Sequence, residues 1–137
     1  MEKTIWITNP FLSKENRSQD ALLRTFDLPG LIDRMKHEQS WKKRELNAKI
    51  LVKTPEMKIV LTALHEGSEI NSFQSNDSVT FQILEGKLKF HAQKDSVTLD
   101  KDQMLTVHEN IKYSLTTKED TVFLLTISTG IMQPAEN

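Results

Sequence analysis

Four histidines are the residues of this chain that most invite a metal-site interpretation, because imidazole nitrogen is a common ligand of transition metals. They are spread along the sequence at His37, His65, His91 and His108. His37 ends a polar helical segment, His65 precedes a turn where it can lie near the open end of a β-structure, and His108 lies in a turn. His91 follows Phe90 in an alternating run, so an inward Phe90 turns His91 outward. The pattern favours surface histidines over a metal site.

Tyr113 is the single tyrosine of this chain, and its position is consistent with two roles. Its hydroxyl can orient a ligand by hydrogen bonding or donate a proton in an isomerisation. Alternatively, it is a core tyrosine whose hydroxyl reaches a backbone carbonyl or Ser75. No neighbouring base is evident in the sequence, which disfavours the catalytic role.

Other catalytic chemistry finds little support. The chain has no cysteine, which excludes thiolate catalysis, disulfides and thiolate metal sites. The sequence has neither a nucleophile elbow nor a glycine-rich phosphate loop, since its 4 glycines are widely spaced. The basic run Trp41–Arg44 is interpreted as a solvated face beside a packed tryptophan. Seven acidic residues lie in or beside predicted turns, where solvation is the usual role: Glu66, Glu69, Asp77, Glu85, Asp95, Asp100 and Asp102.

Composition limits the class of protein further. The chain has 137 residues, with 18 basic and 19 acidic side chains and a formal net charge of −1. This length indicates one domain. The near-zero charge argues against nucleic acid as a partner, and no apolar run approaches membrane-spanning length. Because Met1–Ser13 also lacks the apolar run of a signal peptide, we expect a cytoplasmic protein.

The N-terminal part of the chain, from about Asn9 to Trp41, has a helical pattern. Asp27 is predicted to cap a helix with Pro29 in its first turn and Leu31, Ile32 and Met35 on one face. Residues predicted as the caps and apolar stripe of an earlier helix are Asn16, Ser18, Asp20, Ala21, Leu22, Leu23 and Phe26. Before them, Ile5 and Ile7 alternate with threonines, which indicates a short edge strand.

From about Ala48 onward the pattern changes to short strands separated by turns. The predicted strands are Ile50–Val52, Lys58–Leu64, Val79–Leu84, Leu88–Phe90, Val97–Leu99, Met104–Val107, Tyr113–Leu115 and Val122–Ile127. Many short strands at this spacing are typical of a sandwich or barrel.

Two stretches, Gly67–Gly86 and Asp102–Thr117, resemble the two motifs of the cupin superfamily. Leu84-Glu85-Gly86 is similar to the turn after the family's second motif strand, and the similarity extends over about Ile50–Ile127. The resemblance implies a mainly β fold, a cupin-like double-stranded β-helix (a jelly-roll barrel), with the helical N-terminal extension outside it.

The same resemblance implies a metal site that this chain does not reproduce. The family places two histidines, an acidic residue and a third histidine at positions that hold Phe73, Ser75, Val79 and Tyr113 here. Phe and Val have no donor atoms, so we expect neither a metal nor another cofactor. Asp102 and Asn110 stand where the family usually has glycine, and His108 where proline is usual. Because Asp and Asn tolerate positive φ, the turns are expected to survive.

These observations lead to a definite prediction. Residues 1–47 form a strand and helical extension, 48–130 the barrel and 131–137 a loose tail. The expected function is a metal-free barrel, a non-catalytic protein that binds a small apolar molecule or acts in regulation. The expected ligand-binding residues are Phe73, Ser75, Val79, Phe81 and Tyr113. The alternative is a cofactor-independent isomerase or epimerase for a sugar-like or carbonyl substrate, with Tyr113 as proton donor.

A homodimer is expected as well. Small cupins commonly pair through sheet edges, and the apolar faces of the predicted helices must be buried on the barrel or on a second subunit. We expect neither nucleic acid nor a membrane as a partner.

Overall fold

The structure, a computed structural model, describes residues 23–71 and 76–129. Several predictions therefore lie outside the described residues: the strand at Ile5 and Ile7, the helix start at Ala21 and Leu22 with its caps, and the tail. The chain divides into two units between Arg34 and Met35.

Helix α1 spans Leu28–Met35 and begins as predicted. The backbone N–H of Leu31 donates to Asp27 O at 2.9 Å, and the N–H of Gly30 donates to Asp27 Oδ1 at 3.3 Å. Asp27 is thus the N-cap, with Pro29 in the first turn. The earlier helix prediction is wrong for residues 23–27, which are not helical. An N-cap residue takes a non-helical backbone, so no helix continues through Asp27 into α1.

The second unit begins with helix α2, Gln39–Lys42, and continues into nine strands within the described residues. The strands are β1 Asn47–Lys53, β2 Met57–Leu64, β3 Glu69–Asn71, β4 Ser78–Glu85, β5 Lys87–Ala92, β6 Asp95–Asp100, β7 Met104–Val107, β8 Tyr113–Thr117 and β9 Thr121–Ser128.

These strands form two antiparallel sheets. One has the order β1-β2-β9-β4-β7 and the other the order β3-β8-β5-β6. The crossing order, in which β9 lies between β2 and β4, is typical of jelly rolls and not of simple meanders. The predicted mainly β fold is therefore confirmed.

A single apolar cluster is formed by the inward-pointing residues of both sheets. Phe81 and Ile83 of β4 are almost fully buried, as is Leu88 of β5. The other buried members are Leu64, Val79, Phe90, Leu99, Val107, Leu115 and Phe123. Alternation on β5 is as predicted, since Phe90 is buried whereas His91 is half-exposed.

Two turns have Asp or Asn at a position where the family resemblance places glycine, and both keep the conformation that glycine would adopt. Asp102 has φ of 73° and Asn110 has φ of 65°. Asp and Asn accept this left-handed backbone more readily than other side chains. The expectation that these turns survive without glycine is confirmed.

Candidate functional site

Three of the five predicted ligand-binding residues lie within the described residues. Val79 and Phe81 are on β4, where they are 9% and 1% exposed, and Tyr113 is the first residue of β8 and is half-buried. All three belong to the apolar cluster or pack against it. The structure therefore brings these three together, whereas Phe73 and Ser75 lie outside the described residues.

Tyr113 ends a group of four aromatic rings. Its ring stacks on Phe90, with 4.9 Å between centroids and 23° between planes, and meets Phe81 edge-on at 5.7 Å and 89°. Phe81 also contacts Phe90 at 5.7 Å and Phe123 at 5.4 Å. Such pairs contribute about 0.5–1.5 kcal/mol each beyond the burial of area. Phe90 and Phe123 were not predicted to join Tyr113, because pairing across strands brings them there.

Hydrocarbon side chains surround the end of the interior at which Tyr113 lies. Val79 of β4 pairs with Ile127 of β9, so both point to the same side of the sheet. Ile111 and Leu125 are partly buried against the same cluster. Lys58 pairs with Ile127 across β2 and β9, which adds an amine to this face near the start of β2.

Beside this end, the surface has an open groove of about 390 Å³. Five polar residues and Tyr113 line it. They are Asn71, His91, Gln93, Lys112, Tyr113 and Ser114. Only His91 and Tyr113 of this lining stand out in the sequence, because strand pairing and a turn bring the other residues to the groove.

The residues present do not fit the metal that the resemblance implies. Val79 offers only hydrocarbon at a position where a metal site needs a donor, and the Tyr113 ring packs against Phe90. Within residues 23–71 and 76–129, no group of three His, Cys, Asp or Glu side chains could hold an ion.

The histidines occupy separate places in the described structure. His37 and His108 are exposed, and His91 lies on the outer side of β5. The expectation of a surface histidine is wrong for His65, which is only 8% exposed. The Thr117 hydroxyl donates a hydrogen bond to His65 O at 2.7 Å. His65 therefore lies at the Thr117 end of β8, and Tyr113 is at the other end of this strand.

His65 is buried because it packs on Trp41. The two rings stack, and His65 Nε2 lies 2.8 Å from Trp41 O. Since a carbonyl only accepts, Nε2–H is the donor. His65 Nδ1 is 3.6 Å from Asp120 Oδ1 and makes no hydrogen bond. The predicted packing of Trp41 beside the basic run is thus confirmed.

No family model matches this sequence, and no curated protein matches it either. Solved structures do match. One is a conserved protein of unknown function from Streptococcus pyogenes, with a TM-score of 0.61 and 20% identity over 69% of this chain and 80% of that one. A cupin superfamily protein from Desulfitobacterium hafniense gives 0.60 and 14% identity over 62% and 78%.

The chain folds as a cupin. A further match is an enzyme, a mutant of salicylate 1,2-dioxygenase from Pseudoaminobacter salicylatoxidans, with a TM-score of 0.63 and 18% identity. The likeness covers 72% of this chain but 33% of the dioxygenase. At such identities the likeness concerns architecture alone, so the function of this protein has to come from its own residues.

Among the helices in the described part of the chain, none has the length and apolar character needed to cross a membrane.

Proposed function

We propose that this cupin is a metal-free, non-catalytic barrel that binds a small, largely apolar molecule at the Tyr113 end of its interior. The observation that carries the proposal is the packing around Val79 and Tyr113, where hydrocarbon and aromatic rings occupy positions that the family resemblance assigns to metal ligands. An apolar site with a few polar groups at its edge is what small-molecule pockets commonly present.

The half-exposed ring of Tyr113 gives such a ligand its contact surface. One face of the ring is taken by Phe90, while Phe81 meets it edge-on. A planar apolar ligand extends this aromatic group and buries area that is otherwise exposed to water, which favours binding. Phe73 and Ser75 are proposed as further contacts from their positions in the sequence.

A titration with indole tests the proposal, because indole is planar, uncharged and mostly apolar. In ¹H–¹⁵N NMR spectra, we expect saturable shifts at the amides of Val79, Phe81 and Tyr113. Tyr113→Leu keeps apolar volume but removes the ring, so it should weaken indole binding at least fivefold. Met104→Ala is the control, since Met104 is 59% exposed on β7.

Two results would count against the proposal. One is an absence of saturable shifts at these amides, and the other is equal indole affinity in the wild type and Tyr113→Leu. Elemental analysis of the purified protein tests the metal-free part, for which one transition metal per chain is the opposing result.

The enzyme alternative has one specific observation in its favour. His91 and Tyr113 line the same groove, which therefore contains both an imidazole as a candidate base and a phenol as a candidate proton donor. A cofactor-independent isomerase would exchange a C–H proton next to a carbonyl with solvent. Incorporation of deuterium from D₂O into an aldose or ketose, abolished by Tyr113→Phe, would establish the enzyme and overturn the non-catalytic assignment.

We also propose a homodimer that buries the exposed apolar side chains on and beside β1. Ile50 of this strand is 57% exposed and Leu46 just before it is 55% exposed. β1 is the outermost strand of its sheet among the described strands, and these two side chains offer apolar area to a second copy of the chain.

A further inference from the structure

We propose that the groove beside Tyr113 is a second binding site, on the outer side of the barrel, and that it takes a small organic carboxylate. Neither the fold nor the apolar interior implies this site. Apart from Tyr113, which packs against the apolar cluster, the residues that line it are polar.

Strand pairing places three of its residues in one row. Asn71 of β3 pairs with Ser114 of β8, and Ser114 pairs with His91 of β5. Their neighbours Ile70, Leu115 and Phe90 belong to the apolar core or pack against it. Because successive side chains alternate between faces, the row of Asn71, Ser114 and His91 lies on the outer face.

Lys112 and Gln93 complete the groove at the end of this row. Lys112 is the residue before β8, and Gln93 follows β5 in a turn, where its φ is 56°. The left-handed backbone at Gln93 reverses the chain directly after β5 and keeps this amide at the same end of the sheet as Lys112.

The polar side chains of the groove have hydrogen-bonding capacity to offer a ligand. Within the described residues, those of Asn71, His91, Gln93, Lys112 and Ser114 make no hydrogen bond or ion pair with another side chain or with the backbone. An amine, an imidazole, a hydroxyl and two amides therefore converge on one cavity of about 390 Å³, a volume in the range of small-molecule sites.

Charge selects the ligand class. Lys112 and His91 are the groove residues that can carry positive charge, and the six residues that line it include no Asp or Glu. In the adjacent outward row, Glu69 and Lys89 both pair with Thr116, so a negative and a positive side chain offset each other there. A carboxylate is the anion that suits one lysine with amide and hydroxyl donors, because these form charge-assisted hydrogen bonds to it.

Benzoate and benzamide form the test pair, since they share a ring and differ in charge. In ¹H–¹⁵N NMR titrations of the full chain, benzoate should shift the amides of Asn71, His91 and Ser114, while benzamide leaves them nearly unchanged. Lys112→Gln should weaken benzoate binding about tenfold, the loss expected for one charge-assisted hydrogen bond. Lys118→Gln is the matched control, because Lys118 is an exposed lysine at the other end of β8.

The outcomes separate this site from the interior one. Equal shifts with benzamide, unchanged affinity in Lys112→Gln, or no saturable benzoate shifts at all would overturn the carboxylate site. Benzoate shifts confined to Val79 and Phe81 would overturn it as well, while favouring the proposed interior site. Conversely, indole binding can fail while benzoate binding in the groove succeeds, since the two probes report on opposite sides of β8.

Discussion

The imidazole of His65 stacks on the indole of Trp41, with 3.5 Å between ring centroids and 20° between ring planes. Trp41 belongs to the short helix α2 and His65 follows β2, so the stack joins the segment before the sheets to the barrel. Both residues are buried, at 9% and 8% exposure. The contact therefore holds α2 in place by packing as well as by the hydrogen bond to Trp41 O.

Trp41→Ala should lower the free energy of unfolding by about 3–5 kcal/mol, because it removes a large buried ring. His65→Phe keeps a ring for stacking but leaves Trp41 O without its donor, and should cost about 1–3 kcal/mol. Urea unfolding measures both. Met104→Ala should stay within about 0.5 kcal/mol of the wild type. A near-neutral Trp41→Ala would contradict the structural role of the stack.

Glu38 should make stability depend on pH in the acidic range. Its carboxylate accepts a hydrogen bond from Lys49 Nζ at 2.8 Å and from Asn47 Nδ2 at 2.8 Å. These two hydrogen bonds hold the pKa of Glu38 below its ordinary value of 4.5, and the one from Lys49 has the larger effect. A lowered pKa in the folded state stabilises the protein above the ordinary pKa, and this contribution is lost as the pH falls through the lowered value.

Glu38→Gln tests this dependence. At neutral pH it should reduce the free energy of unfolding by about 0.2–1 kcal/mol, since the Glu38 and Lys49 side chains are both partly exposed and solvent screens the pair. The difference from the wild type should shrink as the pH is lowered through the acidic range. Glu45→Gln, an exposed carboxylate nearby in sequence, is the comparison. A difference that grows towards acidic pH has the wrong sign for this interpretation.

Gly86, in the turn between β4 and β5, and Gly67, in the turn between β2 and β3, provide a matched pair of turn glycines. Both have positive φ, 89° and 82°. A Cβ at Gly86 would lie 2.7 Å from Thr121 Cα, whereas one at Gly67 would meet nothing within 4 Å. Gly67→Ala should therefore cost about 1–2 kcal/mol from backbone strain alone. Gly86→Ala adds a backbone clash and should cost about 1–3 kcal/mol more. Thermal or urea unfolding that ranks the two equally would show that the clash relaxes.

The proposed dimer can be tested at the two edges of one sheet. Ile50→Glu places a charge on β1 and should convert the dimer to a monomer in size-exclusion chromatography with light scattering. Met104→Glu places a charge on β7, the other edge strand among those described, and should leave the dimer intact. A monomeric wild type, or a dimer that withstands Ile50→Glu, would refute a dimer contact at β1.

Sequence pattern predicted the longer strands well because their apolar residues are frequent and bounded by turn residues. The predicted Lys58–Leu64 lies within β2, Met57–Leu64, and Val122–Ile127 lies within β9, Thr121–Ser128. Strand β3 was missed. It has three residues, of which only Ile70 is apolar, and it is a strand because it pairs with β8. Such a segment has no periodicity of its own to detect.

The sequence alone determined the features that depend only on residue type and near neighbours. These are the turns, the Asp27 cap, the alternation of Phe90 with His91, and the absence of donor atoms at Val79. Only the tertiary structure decided which distant residues meet. It buried His65 against Trp41, joined Tyr113 to three phenylalanines, and aligned Asn71, Ser114 and His91 across three strands. The physical reason is that register between strands depends on pairing over long sequence separations, which no local window contains.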